Sequence, residues 1–155
     1  MQLAPGSQIG VYVLESLLGS GAFGVVWLAH RNDTKERVAI KVLHPEAAVS
    51  RESVERFRRE AWALSRLQSP HIARMYEFLT GPPFGMALVM EYIEGELLSD
   101  VLKRARFSVE DATGLGIGVL SGVAEMQSIG IIHRDIKPEN VILRPNANGW
   151  HAVIF

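Results

Sequence analysis

Apolar and polar residues alternate in five stretches of the first part of the chain, with the period of a β-strand. The stretches cover residues 9–18, 25–29, 37–43, 71–78 and 86–93, and turn-forming residues separate most of them. Successive side chains of a strand point to opposite faces of a sheet, so each stretch has one face suited to a core. We therefore predict a five-stranded antiparallel sheet in this part of the chain.

Residues 50–68 have the apolar spacing of an amphipathic helix. Glu60 lies within the apolar stripe of this helix. A buried carboxylate without a partner costs several kcal/mol, so Glu60 should pair with a cation from another element. The alternative is an exposed Glu60 that pairs with Arg56 or Arg59 on its own helix. The stripe itself consists of five side chains: Val54, Phe57, Ala61, Leu64 and Leu67.

The remainder of the chain has mainly helical patterns. We predict a short helix over 97–103, a longer one over 108–129, and a hairpin of 141–143 with 151–155 across a loop at 144–150. A glycine inside a helix costs about 0.8–1 kcal/mol relative to alanine, so the longer helix should depend on packing all round it. Its interior glycines are Gly114, Gly116, Gly118 and Gly122. The whole pattern predicts an α+β fold.

A glycine-rich connection joins the first two predicted strands, with glycine at positions 19, 21 and 24. Glycine lets the backbone approach a ligand closely and direct its N–H groups towards phosphate oxygens. An ordinary hairpin turn would also contain glycine, so the spacing alone is weak support for a ligand site. The β-branched residues that follow predict a strand, whereas a dinucleotide-binding fingerprint requires a helix there. The strand on each side of the glycines therefore favours a connection that covers a bound nucleotide.

The third predicted strand carries a lysine among apolar neighbours. Its period places Ala39, Lys41 and Leu43 on one face and the three intervening apolar residues on the other. An edge lysine often extends its ammonium group to water, which is one interpretation of this position. The other is that Lys41 is the cation that pairs with Glu60.

Residues 133–140 carry the densest group of chemically active side chains. The polar octet stands between the apolar segments 130–132 and 141–143, which predicts a loop held at both ends. Asp135, Lys137 and Asn140 can respectively accept a hydroxyl proton, neutralise a phosphate and bind Mg²⁺. A solvated turn after a helix would explain Arg134 and Asp135 alone, but not the complete pattern.

The octet matches the catalytic-loop pattern H-R-D-x-x-x-x-N at every fixed position, and the chain resembles the protein kinase family. The segment 135–140 is similar to the serine/threonine branch, in particular to its bacterial members. The resemblance implies ATP and Mg²⁺ as cofactors and a Ser/Thr hydroxyl of a protein as the acceptor. It also implies that Asp135 is the proton acceptor, that Lys137 stabilises the transferring phosphoryl group, and that Asn140 holds one Mg²⁺.

The same resemblance implies which residues bind the nucleotide. Lys41 would contact the α- and β-phosphates and pair with Glu60, and the backbone of Glu91 and Ile93 would hydrogen-bond adenine beside the gatekeeper Met90. Many relatives have a polar ribose contact just after the hinge, where this chain has leucine at position 97, so no ribose ligand is assigned. The remaining implied nucleotide-binding residues are Gly19, Gly21, Gly24, Val26 and Ala39.

The resemblance also predicts a domain organisation. Residues 1–93 would form the amino lobe and residues 94–155 the first part of a carboxyl lobe. The chain stops where kinase-like sequences continue with Asp-Phe-Gly, so we expect a truncated kinase that is inactive as this fragment. The competing hypothesis is a non-catalytic nucleotide-binding or interaction module. A small-molecule phosphotransferase is a less favoured alternative, because Pro138 follows Lys137 as in protein kinases.

Composition narrows the function classes further. The 155 residues have a net charge of −1 with basic and acidic residues interspersed, so we do not expect a nucleic-acid partner. The chain contains no cysteine, which rules out disulfides and thiolate metal sites within it and fits the cytoplasm. No stretch is long and apolar enough to predict a membrane segment.

Overall fold

The computed structural model describes residues 3–21, 24–45, 54–55, 58–59, 61–62, 65–147 and 149–155. The chain divides into two compact units. The first unit comprises Met1–Arg66 and Met75–Tyr92, and the second comprises Leu67–Arg74 and Ile93–Phe155. Among the described residues, no helix has both the length and the apolar character needed to cross a bilayer.

A six-stranded antiparallel sheet forms the frame of the first unit, with the strand order β1-β2-β3-β4-β6-β5. The sheet therefore has one strand more than the five that the sequence predicted. A turn at residues 10–11 divides the predicted first strand, and the two residues before it pair back onto β2 through Ile9 and Tyr12. The strands are β1 (Gln8–Ile9), β2 (Tyr12–Gly21), β3 (Gly24–Arg31), β4 (Arg37–Leu43), β5 (Met75–Gly81) and β6 (Gly85–Glu91).

The predicted strand at 71–78 begins later than expected. Ile72 forms an isolated bridge with Ile154 in the second unit, and the backbone of Ala73 donates to the carbonyl of Ile154 at 2.7 Å. The backbone of residues 71–73 therefore forms hydrogen bonds with Ile154 and not with the first sheet. The sheet strand starts at Met75 and continues to Gly81.

Side chains on the two faces of the sheet form separate apolar clusters. Val38, Ile40 and Val42 belong to one cluster, together with residues of β1, β2, β3 and β6. Ala39 belongs to the other, which includes Ala61 of the helical segment, 3% exposed, and residues of β5 and β6. The predicted alternation along β4 is confirmed, because neighbouring residues of this strand enter different clusters.

A hydrogen bond between Tyr12 and Glu77 links β2 to β5, which lies at the far edge of the sheet. The Tyr12 hydroxyl donates to Oε1 of Glu77 although the residues are 65 positions apart. Burial, and then the bond to Glu77, raises the pKa of Tyr12 to about 12. A Cβ built on Gly10 would lie 3.4 Å from Leu79, so the edges also approach near this bond. The sheet is therefore curled rather than flat.

The second unit contains a three-stranded antiparallel sheet and two helices. β8 and β9 continue through most of the predicted loop at 144–150, and the short strand β7, which was not predicted, pairs with β8 through Glu96 and Leu97. The predicted hairpin is therefore longer than expected and belongs to a sheet. The elements are β7 (Glu96–Leu97), α1 (Leu98–Arg104), α2 (Val109–Ser128), a 3₁₀ turn (Pro138–Asn140), β8 (Val141–Asn146) and β9 (Gly149–Ile154).

Within the described residues, one side of helix α2 is buried and the other is exposed. A Cβ on Gly118 would lie 3.1 Å from the ring of His71, and one on Gly122 would lie 3.0 Å from Ile154. These two glycines let the helix approach segment 67–74 and β9 closely. Gly114 and Gly116 have open space around them. The opposite side exposes Val109, Ile117 and Leu120, with 86%, 60% and 68% of their surface accessible.

Candidate active site

The loop between α2 and β8 is held at both of its ends. The backbone of Ile131 donates to the carbonyl of Met126 at 2.9 Å, which ties the start of the loop to the last turn of α2. At the other end Pro138 opens a 3₁₀ turn, a position where a missing N–H costs no hydrogen bond. Val141 then enters β8 with 2% of its surface exposed. The polar residues between these points are presented on a fixed frame.

Asp135, Lys137 and Asn140 converge on one carboxylate oxygen. Oδ2 of Asp135 lies 3.0 Å from Nζ of Lys137 and accepts a 2.8 Å hydrogen bond from Nδ2 of Asn140. Nδ2 of Asn140 also donates to the backbone carbonyl of Asp135 at 2.8 Å. The structure thus brings together the three residues to which the sequence assigns catalytic and metal-binding roles.

These two donors stabilise the ionised form of Asp135. The hydrogen bond from Lys137, followed by that from Asn140, lowers the pKa of the Asp135 carboxyl below its ordinary value. The carboxyl is therefore ionised at neutral pH and can accept a proton. Both donors use Oδ2, so Oδ1 keeps its lone pairs for a hydroxyl group that approaches the loop.

His133 and Arg134 shape the backbone that carries Asp135. The backbone N–H of Asp135 donates to Nδ1 of His133 at 3.3 Å, so Nδ1 acts as an acceptor. Arg134 has φ of 66°, a left-handed conformation that non-glycine residues adopt rarely and at an energetic cost. Such strain persists only where surrounding contacts impose it, and here it turns the chain between the imidazole and the carboxylate.

Asn140 offers Mg²⁺ an oxygen ligand. Its amide nitrogen makes both hydrogen bonds to Asp135, so its carbonyl oxygen Oδ1 is directed to a different side of the amide. Mg²⁺ prefers oxygen ligands and usually keeps water and phosphate oxygens in its shell. The described ranges contain no group of three or more His, Asp or Glu that would form a metal site from protein groups alone. The loop therefore fits Mg²⁺ delivered together with a phosphate.

The structural reason for glycine differs among the three glycine positions of the first hairpin. Gly19 and Gly21 lie in β2, and a Cβ at either position would meet nothing within 4 Å. Gly24 begins β3 opposite Leu43, where a Cβ would lie only 2.2 Å from the carbonyl oxygen of Val42. Strand pairing therefore requires glycine at 24, whereas Gly19 and Gly21 leave open space beside the backbone. The tip at 22–23 lies outside the described residues.

Val26, Ala39 and Lys41 share one face of the sheet. Val26 is the cross-strand partner of Lys41, and Ala39 stands two residues before Lys41 on the same strand. Ala39 also pairs with Met90, the predicted gatekeeper, which is 7% exposed. This face is the one on which the helical residue Ala61 packs. Glu60 lies outside the described residues, so its predicted pair with Lys41 stays a prediction.

The predicted hinge residues lie where the chain leaves the first sheet. Glu91 is the last residue of β6 and pairs with Val38. Ile93, two residues later, is 4% exposed and is the residue at which the chain re-enters the second unit. Leu97, for which no ribose contact was assigned, pairs with Ile142 in the sheet of the second unit.

Known proteins are similar to this chain in both sequence and fold. The profile of the protein kinase domain family matches residues 12–152. The chain belongs to the protein kinase domain family. The serine/threonine-protein kinase pkn2 of Myxococcus xanthus is 39% identical over 97% of the chain, and the carbon catabolite-derepressing protein kinase of Saccharomyces cerevisiae is 32% identical over 94%.

The structural comparison gives the same family. The chain matches the crystal structure of the Mycobacterium tuberculosis PknI kinase domain with a TM-score of 0.83 and 26% identity, over 99% of its own length. It covers 62% of that chain, 18% of the M. xanthus kinase and 23% of the yeast kinase. The predictions of the kinase family, its serine/threonine branch and a kinase-like α+β fold are confirmed, with six strands in place of five.

Proposed function

We propose that this kinase domain transfers the γ-phosphoryl group of ATP to Ser or Thr hydroxyls of protein substrates. The observation that carries the proposal is the Asp135 carboxylate, ionised and held in place by Lys137 and Asn140 on a single loop. The serine/threonine kinases among its relatives support this choice of acceptor. The cytoplasm is the proposed compartment, in keeping with a chain that contains no cysteine.

Asp135 receives the hydroxyl proton in this mechanism. Its carboxylate orients the Ser or Thr hydroxyl by accepting a hydrogen bond, and the hydroxyl oxygen forms a bond to the γ-phosphorus. The bond from that phosphorus to the bridging oxygen breaks, ADP leaves with the electron pair, and the proton passes to Asp135. Lys137, which lies beside the same carboxylate, neutralises negative charge on the transferring group.

Seven of the residues that we propose bind the nucleotide lie in strands of the first unit: Gly19, Gly21, Gly24, Val26, Ala39, Lys41 and Glu91. Lys41 binds the α- and β-phosphates and pairs with Glu60, while the backbone near Gly19, Gly21 and Gly24 covers the phosphates. Val26 and Ala39 lie on the same face as Lys41, which supports a common role. The other proposed contacts are adenine with the backbone of Glu91 and Ile93, and one Mg²⁺ with Asn140. Mg²⁺ supplies positive charge that neutralises the phosphate oxygens.

A non-catalytic nucleotide-binding module is the second candidate. It is favoured by one observation, that the described residues contain no group of three or more His, Asp or Glu side chains that could hold a metal ion. The two candidates agree on nucleotide binding and differ only on phosphoryl transfer. A transfer assay therefore separates them directly.

The test uses the natural protein that carries this sequence, [γ-³²P]ATP and Mg²⁺. A basic protein such as myelin basic protein serves as one acceptor, and small alcohols serve as the other. We expect label on the protein, recovered as phosphoserine or phosphothreonine, and none on the alcohols. Label on the alcohols alone would contradict protein kinase activity, and nucleotide binding without any transfer would support the non-catalytic module.

A further inference from the structure

His44 forms a hydrogen bond to the glycine-rich end of the first hairpin. We call this part, residues 19–21 of β2 and 24–26 of β3, the hairpin end. His44 is the first residue after β4, and its Nε2 donates to the carbonyl oxygen of Gly21 at 3.1 Å. A carbonyl oxygen can only accept, so Nε2 carries a proton. The neutral Nε2–H tautomer and the imidazolium both have this donor, so either form of the ring can make the bond.

The bond from His44 joins two strands that are not neighbours in the sheet. The strand order places β3 between β2 and β4, and β3 begins at Gly24. Gly24 pairs with Gly21 on one side and with Leu43 on the other. A Cβ on Gly24 would lie 2.2 Å from the carbonyl oxygen of Val42, so glycine allows a close approach here. The side chain of His44 thus reaches past the first residue of β3 and connects β4 directly to β2.

The β2 part of the hairpin end offers little side-chain packing within the described residues. A Cβ on Gly19 or Gly21 would meet nothing within 4 Å, and Ser20 between them is exposed. The pairing of β2 with β3 also shifts register between Leu17 and Gly19, which interrupts the regular ladder just before this part. The position of Gly21 therefore depends on backbone hydrogen bonds. The bond from His44 adds one that comes from outside the hairpin.

The same strand carries Lys41, three residues before His44. Lys41 pairs with Val26 of β3. Gly24 lies two residues before Val26, and it pairs with Gly21. A strand rises about 3.3 Å per residue, so the levels of Lys41 and Gly21 differ by roughly 7 Å along the sheet. Strand β4 therefore sets the spacing between the cation proposed to bind the phosphates and the backbone proposed to cover them.

We propose that His44 is a positioning residue for ATP, a role that rests on the nucleotide site of the proposed function. By holding the Gly21 carbonyl, His44 docks the hairpin end on β4 before the nucleotide arrives. A segment that is already ordered loses less conformational freedom on binding, so the affinity for ATP is higher. The imidazole N–H also offsets the partial negative charge of the carbonyl oxygen, which would otherwise repel a phosphate group.

Titration of the natural protein that carries this sequence with a fluorescent ATP analogue tests the proposal. His44→Leu removes the donor and should weaken binding about three- to tenfold, the effect of one hydrogen bond. His44→Gln supplies an amide N–H in place of the imidazole N–H and should keep the affinity within about twofold. His30→Leu is the matched control, because it removes an imidazole that bonds Glu15 elsewhere on the sheet. It should also leave the affinity within about twofold.

Kinetics and hydrogen exchange separate this positioning role from a merely structural one. In His44→Leu the KM for ATP should rise, whereas kcat at saturating ATP should stay within about twofold, because bound nucleotide then orders the hairpin end. Asp135, the proposed proton acceptor, belongs to the second unit and is unchanged. Without ATP, amide hydrogens at the end of β2 should exchange faster in His44→Leu than in the wild type. The melting temperatures of the two proteins should agree within about two degrees.

Three results would overturn the proposal. They are unchanged ATP affinity in folded His44→Leu, a loss of affinity in His44→Gln as large as that in His44→Leu, and a joint fall of kcat and melting temperature in His44→Leu. A wild-type protein that binds no ATP would contradict the proposed function itself. A wild type and a His44→Leu variant that bind ATP equally well would contradict only the role of His44, so the two failures can be told apart.

Discussion

Nζ of Lys137 lies 3.0 Å from Oδ2 of Asp135, the same oxygen that accepts the amide hydrogen of Asn140. One carboxylate oxygen is therefore used to hold the loop, and the other stays available. This division lets a single residue be both fixed in position and ready to accept a proton. Lys137, which is 47% exposed, can approach a phosphate without leaving the carboxylate, because an ammonium group has three donors.

Lys137→Met should raise the pKa of Asp135, because the hydrogen bond from Lys137 is the largest cause of its lowered value. The measurement is an NMR titration of ¹³C-labelled aspartate carboxyls. Lys103→Met, which breaks the ion pair of that residue with Asp100, is the control and should leave Asp135 unchanged. An Asp135 pKa that did not move in Lys137→Met would show that the ammonium group is not its partner in solution.

Gly24→Ala should lower the thermal stability of the chain, whereas Gly21→Ala should weaken ATP binding. Gly24→Ala puts a Cβ 2.2 Å from the carbonyl oxygen of Val42, so the pairing of β3 with β4 must shift and the melting temperature should fall by several degrees. Gly21→Ala meets open space and should fold normally, but it should bind ATP at least several-fold more weakly if Gly21 lies against the phosphates. Thermal unfolding and ATP titration measure both effects, and equal melting temperatures would contradict the steric account.

The sequence predicted most of the local structure and the residues of the candidate site. Alternation along β4 gave the correct faces, and the octet at 133–140 gave a loop whose key side chains do meet. Sequence patterns failed where a distant partner determines the conformation. Residues 71–73 continue an apolar pattern but bond to Ile154, and β7 is two residues long, too short for a periodic signal.

Closure of the sheet could not be predicted for the same reason. The link between Tyr12 and Glu77 spans 65 positions, and neither residue has a local signal for it. The glycines of α2 suggested close packing, but the sequence does not tell Gly118, which contacts His71, from Gly116, which faces open space.

Gly116→Ala and Gly118→Ala form a matched pair on α2. Gly116→Ala should stabilise the chain by up to about 1 kcal/mol, because alanine favours the helix and the site has space. Gly118→Ala makes the same gain in helix propensity but brings a Cβ 3.1 Å from the His71 ring, so it should be the less stable of the two. Urea unfolding of both variants measures the difference, and Gly118→Ala as stable as Gly116→Ala would contradict this packing.

Tyr12 should make stability depend on pH in the alkaline range. Its pKa is about 12 in the folded chain against 10.0 for the free side chain, so the contribution is complete below pH 10 and is lost as the pH rises towards 12. Tyr12→Phe removes the bond to Glu77 and should cost about 0.5–1.5 kcal/mol at neutral pH. The difference in unfolding free energy between wild type and Tyr12→Phe should shrink between pH 10 and 12, and a constant difference would refute this origin.

The most direct test of the proposed mechanism is the turnover of Asp135→Asn in the natural protein that carries this sequence. Asparagine keeps the size of the side chain but removes its ability to accept the hydroxyl proton. We predict that kcat falls by roughly 10²–10⁴ while the affinity for ATP stays within about twofold, because the nucleotide contacts are unchanged. A kcat close to that of the wild type, with ATP bound normally, would contradict the role of Asp135 as the proton acceptor.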